Sequence, residues 1–330
     1  MNIPYTHESI RLTGRWDTSD PRVATATATG SYIEFAFEGK MALARFDVLT
    51  NAMPRLHLWI SLDDGDMIEA PIDSHLRIIA KNDGKHICRI LYKGGTEQES
   101  RWYAPLTAKV SFLGVQTEKP LPIAADNRKI IEFVGDSITE GVLIDVDFYA
   151  EKRESSPNDQ NNRCYQDDVC ATYAWLTAEA LDLRPIFMGY GAVGVTKSGC
   201  GRVPSAPEAY PYNFDASPIT REKPDYILIN HGANDASKPV ELYLEKYAEL
   251  LDVIRAMNPQ ATLISLSAFC GAHHEELGNM IAKYNQKNNC HVHFIDSNGW
   301  IPLKPLHPLR DGHITVSKHL IPLLKEIIKD

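Results

Sequence analysis

Hydrophobic and polar residues alternate with a period of two in short runs along the first part of the chain. Such runs occupy Tyr32–Glu38, Leu56–Leu62, His86–Tyr92 and Ala108–Leu113, and turn-forming glycine or aspartate residues stand between several of them. Alternation of this kind predicts β-strands with one face towards a core. Regular strand spacing without a helical period predicts a β-sandwich of the jelly-roll type, which we assign to residues 1–118.

The pattern changes at residues 119–128, which contain Pro120 and Pro122 and predict a linker. From Lys129 onward, continuous apolar runs are separated by stretches with a helical period. Runs of this kind are typical of strands buried on both faces, so residues 129–330 predict an α/β domain with a five-stranded parallel sheet, right-handed crossovers and helices on both faces. The predicted strands are Ile130–Val134, Pro185–Gly189, Asp225–Asn230, Ala261–Leu266 and His291–Asp296, and the predicted helices are Asp168–Leu183, Val240–Met257, Glu275–Asn288 and Gly312–Ile328.

Composition and charge narrow the class of protein. A net charge of -9 without any basic block argues against a nucleic-acid partner. No apolar stretch approaches the roughly 20 residues that a membrane-spanning helix needs, and no secretion signal is visible in the residues from Met1 onward. The six cysteines lie far apart and are expected to be free, largely buried thiols. We therefore expect a cytoplasmic protein, or a secreted or periplasmic one if a leader ahead of Met1 has been removed.

The first predicted strand of the second domain runs into Gly135-Asp136-Ser137-Ile138-Thr139-Glu140-Gly141. Ser137 is thereby expected at the carboxyl end of a buried strand, where open α/β sheets bind their ligands; the alternative is a Ser that only caps the next helix. The amino-acid sequence of this turn resembles the first block of the SGNH (GDSL) hydrolase family, whose Ser is the nucleophile of an ester-cleaving site. It differs from the Gly-x-Ser-x-Gly elbow of α/β-hydrolases, because Thr139 occupies the place of the second Gly.

The turns after the second and third predicted strands resemble the next two blocks of that family. In Gly189–Val195, the match implies that the Gly194 N–H serves an oxyanion hole, with Gly191 as a nearby competitor. After the third strand, the match implies the Asn234 side chain as a further donor, with Asp235 holding the turn. Together with the N–H of the nucleophilic Ser, these donors would stabilise the charge that acyl transfer places on a carbonyl oxygen. Without the resemblance, a glycine-rich turn and an Asx turn are the alternatives.

A Ser nucleophile also needs a base to take its proton. The segment Leu306–His313 resembles the last block of the family, an Asp-x-x-His sequence followed by Pro, in the register that places Pro308 after His307. This register implies that His307 is the base. The residue three positions before it is Lys304, so the carboxylate that usually orients the imidazole is absent.

Two explanations for the absent carboxylate stay open. The site is either a Ser-His dyad, with a main-chain carbonyl orienting the imidazole, or a triad completed from elsewhere by Asp296 or Asp311. A second register would make His313 the base, with Asp311 two residues before it, but it loses the proline that follows. In the preferred register, His313 and His319 are helix residues with no part in proton transfer.

The sequence of the first domain resembles one particular group of enzymes within this family. Gly14–Trp16 and Gly30–Gly39 are similar to the start of carbohydrate esterase family 2, in which a jelly-roll domain precedes a flavodoxin-like, three-layer SGNH domain. Those enzymes remove acetyl groups from plant polysaccharides and sugars, in some members with a Ser-His dyad. The resemblance implies a serine esterase that deacetylates a polysaccharide or oligosaccharide through an acyl-enzyme. The alternatives are an esterase for lipid or small aliphatic esters and a catalytically silent carbohydrate-binding protein.

Several residues around the predicted site are candidates for contacts with substrate. Tyr190, Trp300 and Phe148 could stack on a sugar ring, although aromatic residues near glycines usually pack in a core. The polar stretch within residues 142–167 could wall the acyl pocket or form a surface insertion. Cys290–His293 places two His on one strand face, but no nearby cluster completes a zinc set. His273–Glu275 lacks the His-Glu-x-x-His spacing, so no metal is expected, and no cofactor is expected either. The expected partner is an acetylated carbohydrate.

Overall fold

The computed structural model describes residues 1–146, 163–220 and 222–329. Within these ranges the chain forms a large antiparallel sheet followed by a parallel sheet covered by helices. The predicted fold class, a jelly-roll sandwich in front of an α/β domain, is confirmed. No helix in the described ranges combines the length and the apolar character needed to cross a membrane.

The antiparallel sheet occupies residues 1–121, all of them described, and contains nine strands. Its long central strand pairs with four others and shifts register next to Gly39, where φ is 122°, so that one strand serves both layers of the sandwich. The two layers enclose a single apolar cluster, which explains why the sequence alternates here. The strands are β1 Asn2–Pro4, β2 Ile10–Thr13, β3 Ala24–Ala26, β4 Tyr32–Phe46, β5 His57–Leu62, β6 Ile68–Pro71, β7 His75–Ile79, β8 Lys85–Gly94 and β9 Val110–Leu121.

The last strand of the sandwich continues beyond the predicted end of the domain at residue 118. Pairing with β4 places Pro120 opposite Phe37 and Leu121 opposite Ala36. The predicted linker 119–128 therefore begins three residues too early, and the connection starts at Pro122. Two prolines suggested a break, but the pairing partners on β4 hold the chain extended through the first of them.

The parallel sheet has five strands in the order β11-β10-β14-β15-β16, so β10 pairs with β11 on one side and with β14 on the other. Numbered along the chain from β10, this order is 2-1-3-4-5, the flavodoxin-like arrangement. Every residue of β10 and β11 is buried, as continuous apolar runs predict. The strands are β10 Ile130–Gly135, β11 Arg184–Gly189, β14 Tyr226–Asn230, β15 Thr262–Leu266 and β16 Val292–Ile295, and a small hairpin is formed by β12 Tyr212–Phe214 and β13 Ser217–Pro218.

Helices cover the parallel sheet. The predicted helix Asp168–Leu183 is divided in two, because Thr172 caps a new helix by accepting the N–H of Trp175. The last helix buries one side at three- and four-residue spacing, as an amphipathic helix should. The helices of the described ranges are α1 Ser137–Glu140, α2 Arg163–Gln166, α3 Tyr173–Ala180, α4 Ala206–Ala209, α5 Val240–Met257, α6 His274–Asn288 and α7 Arg310–Lys329, and short 3-10 turns occupy Val169–Ala171, Cys200–Arg202 and Ala233–Asp235.

Buried ion pairs join the sandwich to the α/β domain. Arg15 donates from Nη2 to Glu132 Oε1 at 3.0 Å, and both side chains are at most 1% exposed. Arg101 and Glu140 form a second pair of equally buried side chains. A charge left without its partner in such surroundings is costly, so these contacts fix how the two domains meet. All six cysteines are unpaired, as predicted.

Candidate active site

Ser137 is the first residue of α1, which begins directly after β10 ends at Gly135. Asp136 caps this helix, since its Oδ1 accepts the N–H of Ile138 at 2.9 Å. The helix ends after one turn, where Gly141 adopts φ 87°. The capping role that was the alternative for Ser137 thus belongs to its neighbour, and the Ser137 side chain is left at the carboxyl edge of the sheet, 6% exposed.

His307 meets Ser137 at this edge. Its Nε2 lies 2.8 Å from Ser137 Oγ, although the two residues are 170 positions apart. The imidazole is half-buried in the loop before α7, and burial lowers the pKa of His307 below its ordinary 6.5. At neutral pH the ring is therefore largely neutral, the state in which Nε2 can accept the hydroxyl proton.

Asn234 lies in the 3-10 turn after β14, on the other side of the serine turn. Its Nδ2 donates to Asp136 Oδ2 at 3.2 Å and to the carbonyl oxygen of Val193 at 3.0 Å. Burial, together with the charge of nearby Asp235, raises the pKa of Asp136 to about 7. The amide is thereby held between the serine turn and the glycine-rich turn.

Asp235, which the sequence predicted to hold its own turn after β14, instead holds the glycine-rich turn after β11. The Asp235 carboxylate accepts N–H groups from Val195 at 3.1 Å and Thr196 at 2.9 Å. The Gly194 N–H donates to the carbonyl oxygen of Lys197 at 3.1 Å, so in this structure it already has an acceptor. For the N–H of Gly191, the described part of the chain offers no acceptor.

The two carboxylates considered as third members of a triad lie elsewhere. Asp296 binds Ser267 Oγ at 3.1 Å and His274 Nδ1 at 3.2 Å. Asp311 is exposed on α7 and accepts the N–H of Gly312. Neither carboxylate hydrogen-bonds to His307 within the ranges that the structure describes.

The other two histidines near the carboxyl terminus are part of the packing of α7. His313 is buried and stacks on Tyr173, whose N–H donates to His313 Nδ1 at 3.0 Å. Burial lowers the pKa of His313 to about 3. His319 stacks on Trp300 at 5.1 Å between ring centroids, which covers one face of this predicted sugar-stacking residue.

The prediction that Tyr190 stacks on a sugar is wrong. The side chain is 1% exposed, its hydroxyl pairs with Thr27 Oγ1 at 3.0 Å, and the guanidinium of Arg101 lies over the ring. An aromatic residue beside glycines here fills the core, the alternative stated above. Phe148 and most of the segment 142–167 lie outside the described residues.

Sequence reasoning missed two charged residues at the site, Glu97 and Arg163. After burial, their charges have the largest effects on the pKa of His307, which Glu97 raises and Arg163 lowers. Glu97 comes from the sandwich domain, and no local motif around it points to this position. Among the residues described, no group of three or more His, Cys, Asp or Glu side chains is placed to hold a metal ion.

Comparison with known proteins found a matching family model and a similar named protein. A model of the GDSL-like lipase/acylhydrolase family matches residues 133–313. A protein of Cellvibrio japonicus (strain Ueda107) named acetylxylan esterase / glucomannan deacetylase is 24% identical over 262 residues, which cover 75% of this chain and 68% of that protein.

Solved structures share the whole two-domain fold. A family two carbohydrate esterase from Cellvibrio japonicus matches with a TM-score of 0.81 at 19% identity, covering 100% of this chain and 98% of that one. A family two carbohydrate esterase from Clostridium thermocellum, solved in complex with cellohexaose, matches with a TM-score of 0.75 at 19% identity, covering 97% and 99%. At this identity the likeness shows the fold.

Proposed function

We propose, since the chain belongs to the GDSL-like lipase/acylhydrolase family, that it is a serine esterase that removes O-acetyl groups from a polysaccharide or oligosaccharide. The observation that carries the proposal is the 2.8 Å contact between Ser137 Oγ and His307 Nε2 at the carboxyl edge of the parallel sheet. The relative named acetylxylan esterase / glucomannan deacetylase supports the choice of acetylated carbohydrate over other esters.

The first half of the reaction forms an acyl-enzyme. Ser137 Oγ attacks the acetyl carbonyl carbon while neutral His307 takes the hydroxyl proton on Nε2. Negative charge develops on the carbonyl oxygen, where we expect the Ser137 N–H to donate. We expect the Asn234 amide to donate there too, once this oxygen replaces one of its two acceptors, Asp136 Oδ2 or the Val193 carbonyl oxygen. The third donor comes from the glycine-rich turn, with Gly191 and Gly194 as the two candidates. His307 then passes its proton to the leaving sugar oxygen, and the carbon–oxygen bond of the ester breaks.

The second half repeats these steps with water. Water attacks the acetyl-Ser137 carbonyl carbon as His307 Nε2 takes one of its protons. The same donors stabilise the second oxyanion, and His307 returns the proton to Ser137 Oγ as acetate leaves. This chemistry requires only the residues already described.

Acetate release from acetylated xylan, acetylated glucomannan and simple acetyl sugars tests the proposal. We expect release from at least one of these substrates, and we expect Ser137→Ala to abolish it while leaving sugar binding intact. Faster cleavage as the acyl chain lengthens from acetyl to octanoyl would instead favour an esterase for lipid or aliphatic esters. Binding of oligosaccharide with no hydrolysis of any acetyl ester would favour a silent binding protein.

A further inference from the structure

One segment of the sandwich domain, Lys93–Arg101, reaches into the α/β domain beside the active site. Lys93 is buried, and its Nζ donates to three carbonyl oxygens within residues 164–167 at 2.8–3.1 Å. At the other end of the segment, Arg101 pairs with Glu140 in the helix that begins with the nucleophile. The backbone between these two anchors is therefore held in place against the α/β domain.

Glu97 lies between the anchors and points at the glycine-rich turn. A Cβ added to Gly191 would fall 1.9 Å from Glu97 Oε2, so the carboxylate packs directly on this glycine. The other oxygen, Oε1, accepts from Arg163 Nη2 at 3.3 Å, and the same nitrogen lies 3.3 Å from Asp167 Oδ2. With a side chain only 13% exposed, Glu97 is a fixed, partly desolvated negative charge at the active-site edge.

The charged groups around His307 differ in whether they favour the protonated form of its ring. Arg163 opposes protonation of the imidazole, and the buried His313 is neutral above its pKa of about 3. Arg310 is occupied by carboxylates of its own, at Asp145 and Asp168. Glu97, by contrast, carries a negative charge that raises the pKa of His307 and so favours the protonated ring.

We propose that Glu97, a residue of the sandwich domain, is a positioning residue that stabilises His307 in its protonated form during acyl transfer. When Ser137 attacks, the imidazole becomes a cation, and a fixed negative charge nearby lowers the energy of that state relative to the neutral one. Glu97 would thus supply the charge that Lys304, at the place of the family's Asp, cannot supply. This inference rests on the proposed function.

The pH dependence of kcat and kcat/KM on para-nitrophenyl acetate, measured for wild type and Glu97→Gln, tests the inference. Removing the negative charge lowers the pKa of His307, so the acid limb of the profile should move about 0.5–1 pH unit lower. The plateau of kcat should fall about three- to tenfold, because one pKa unit corresponds to a factor of ten between the two protonation states. Glu97→Asp should recover part of both effects.

Glu99→Gln is the matched control, because Glu99 lies two residues away and binds Thr107 Oγ1 at 2.7 Å instead of facing the site. It should leave the profile unchanged. A lower plateau in Glu97→Gln with an unmoved acid limb, or with a limb moved to higher pH, would mean that Glu97 only supports the structure and would overturn the inference.

A titration of the His307 ring by NMR separates this inference from the proposed function. The His307 resonance is assigned from its loss in His307→Asn, and its pKa is compared between Ser137→Ala and the double variant Ser137→Ala/Glu97→Gln, neither of which needs to be active. A lower pKa in the double variant supports the inference even if the wild type cleaves no acetyl ester. An unchanged pKa overturns it even if the wild type is an active esterase.

Discussion

Replacing Asn234 by Ala removes one oxyanion donor and also disturbs the serine turn. The Nδ2 group of Asn234 bonds to Asp136 Oδ2 at 3.2 Å and to the Val193 carbonyl oxygen at 3.0 Å, so the amide links the turns on either side of the site. The substitution therefore has two separate consequences, one for catalysis and one for the stability of the fold.

The catalytic consequence is a loss of transition-state stabilisation. Removal of one oxyanion donor costs about 3–4 kcal/mol, so kcat of Asn234→Ala should fall about 100- to 1000-fold. KM should change much less, because the charge on the carbonyl oxygen develops mainly in the transition state.

The consequence for stability depends on pH. Burial raises the pKa of Asp136 to about 7 from its ordinary 3.8, so the folded chain binds a proton that the unfolded chain releases, and the stability due to this group decreases as the pH rises from about 4 to about 7. Asn234→Ala removes a hydrogen bond to the ionised carboxylate, which raises this pKa further. The variant should lose about 1 kcal/mol near pH 5, where the bond to the Val193 carbonyl oxygen is lost, and about 1.5–3 kcal/mol more near pH 8, where the bond to the ionised carboxylate is lost as well.

The two consequences are measured separately. Initial rates on an acetyl ester give kcat and KM, and urea unfolding at pH 5 and at pH 8 gives the free energies of unfolding. Asn288→Ala, which removes an amide bonded to the Tyr284 carbonyl oxygen on α6, is the control and should leave kcat unchanged. A kcat within tenfold of wild type, or an equal loss of stability at both pH values, would refute the reasoning.

Four further predictions concern single residues. Ser137→Ala should lower kcat by about 10⁴-fold or more, and residual acetate release near the wild-type rate would contradict its role. In wild type, kcat/KM should fall in acid with a midpoint below 6.5, because burial lowers the pKa of His307 and the neutral ring is required. Arg15→Met should destabilise the fold by about 3–5 kcal/mol in urea unfolding, since it removes the guanidinium that pairs with the buried Glu132 carboxylate. Tyr190→Phe should cost about 1 kcal/mol and leave KM for sugar esters unchanged, whereas a higher KM would restore it as a contact residue.

Much of the fold could be predicted from local pattern. Every predicted strand of the parallel sheet overlaps an observed strand, because short continuous apolar runs are typical of strands that are buried on both faces. The prediction was less accurate at Lys119–Leu121 and at Thr172, where pairing across the sheet and a helix cap override the composition of the segment. The extended end of β9 depends on hydrogen-bond partners on β4, which lie outside the segment. The helix cap depends on the bond from the Trp175 N–H to Thr172, which the apolar pattern does not indicate.

In the candidate site, too, some features could be predicted from the sequence and others could not. The order of the motifs along the chain predicted that Ser137, Asn234 and His307 lie close together, since the carboxyl ends of parallel strands meet at one edge of a sheet. The burial of Tyr190, the acceptor of the Gly194 N–H and the position of Glu97 were not predictable, since each depends on packing between turns or between domains.

By itself, therefore, the sequence determined the order of strands and helices, the serine turn and the residues able to act with it. Such features are encoded by neighbouring residues, through the period of apolar positions and the chemistry of turns. Only the tertiary structure decided which charges surround His307 and how Arg15 and Arg101 join the two domains. The physical reason is that Coulomb interactions and burial depend on distance in space, and Glu97 lies more than 200 positions from His307 along the chain.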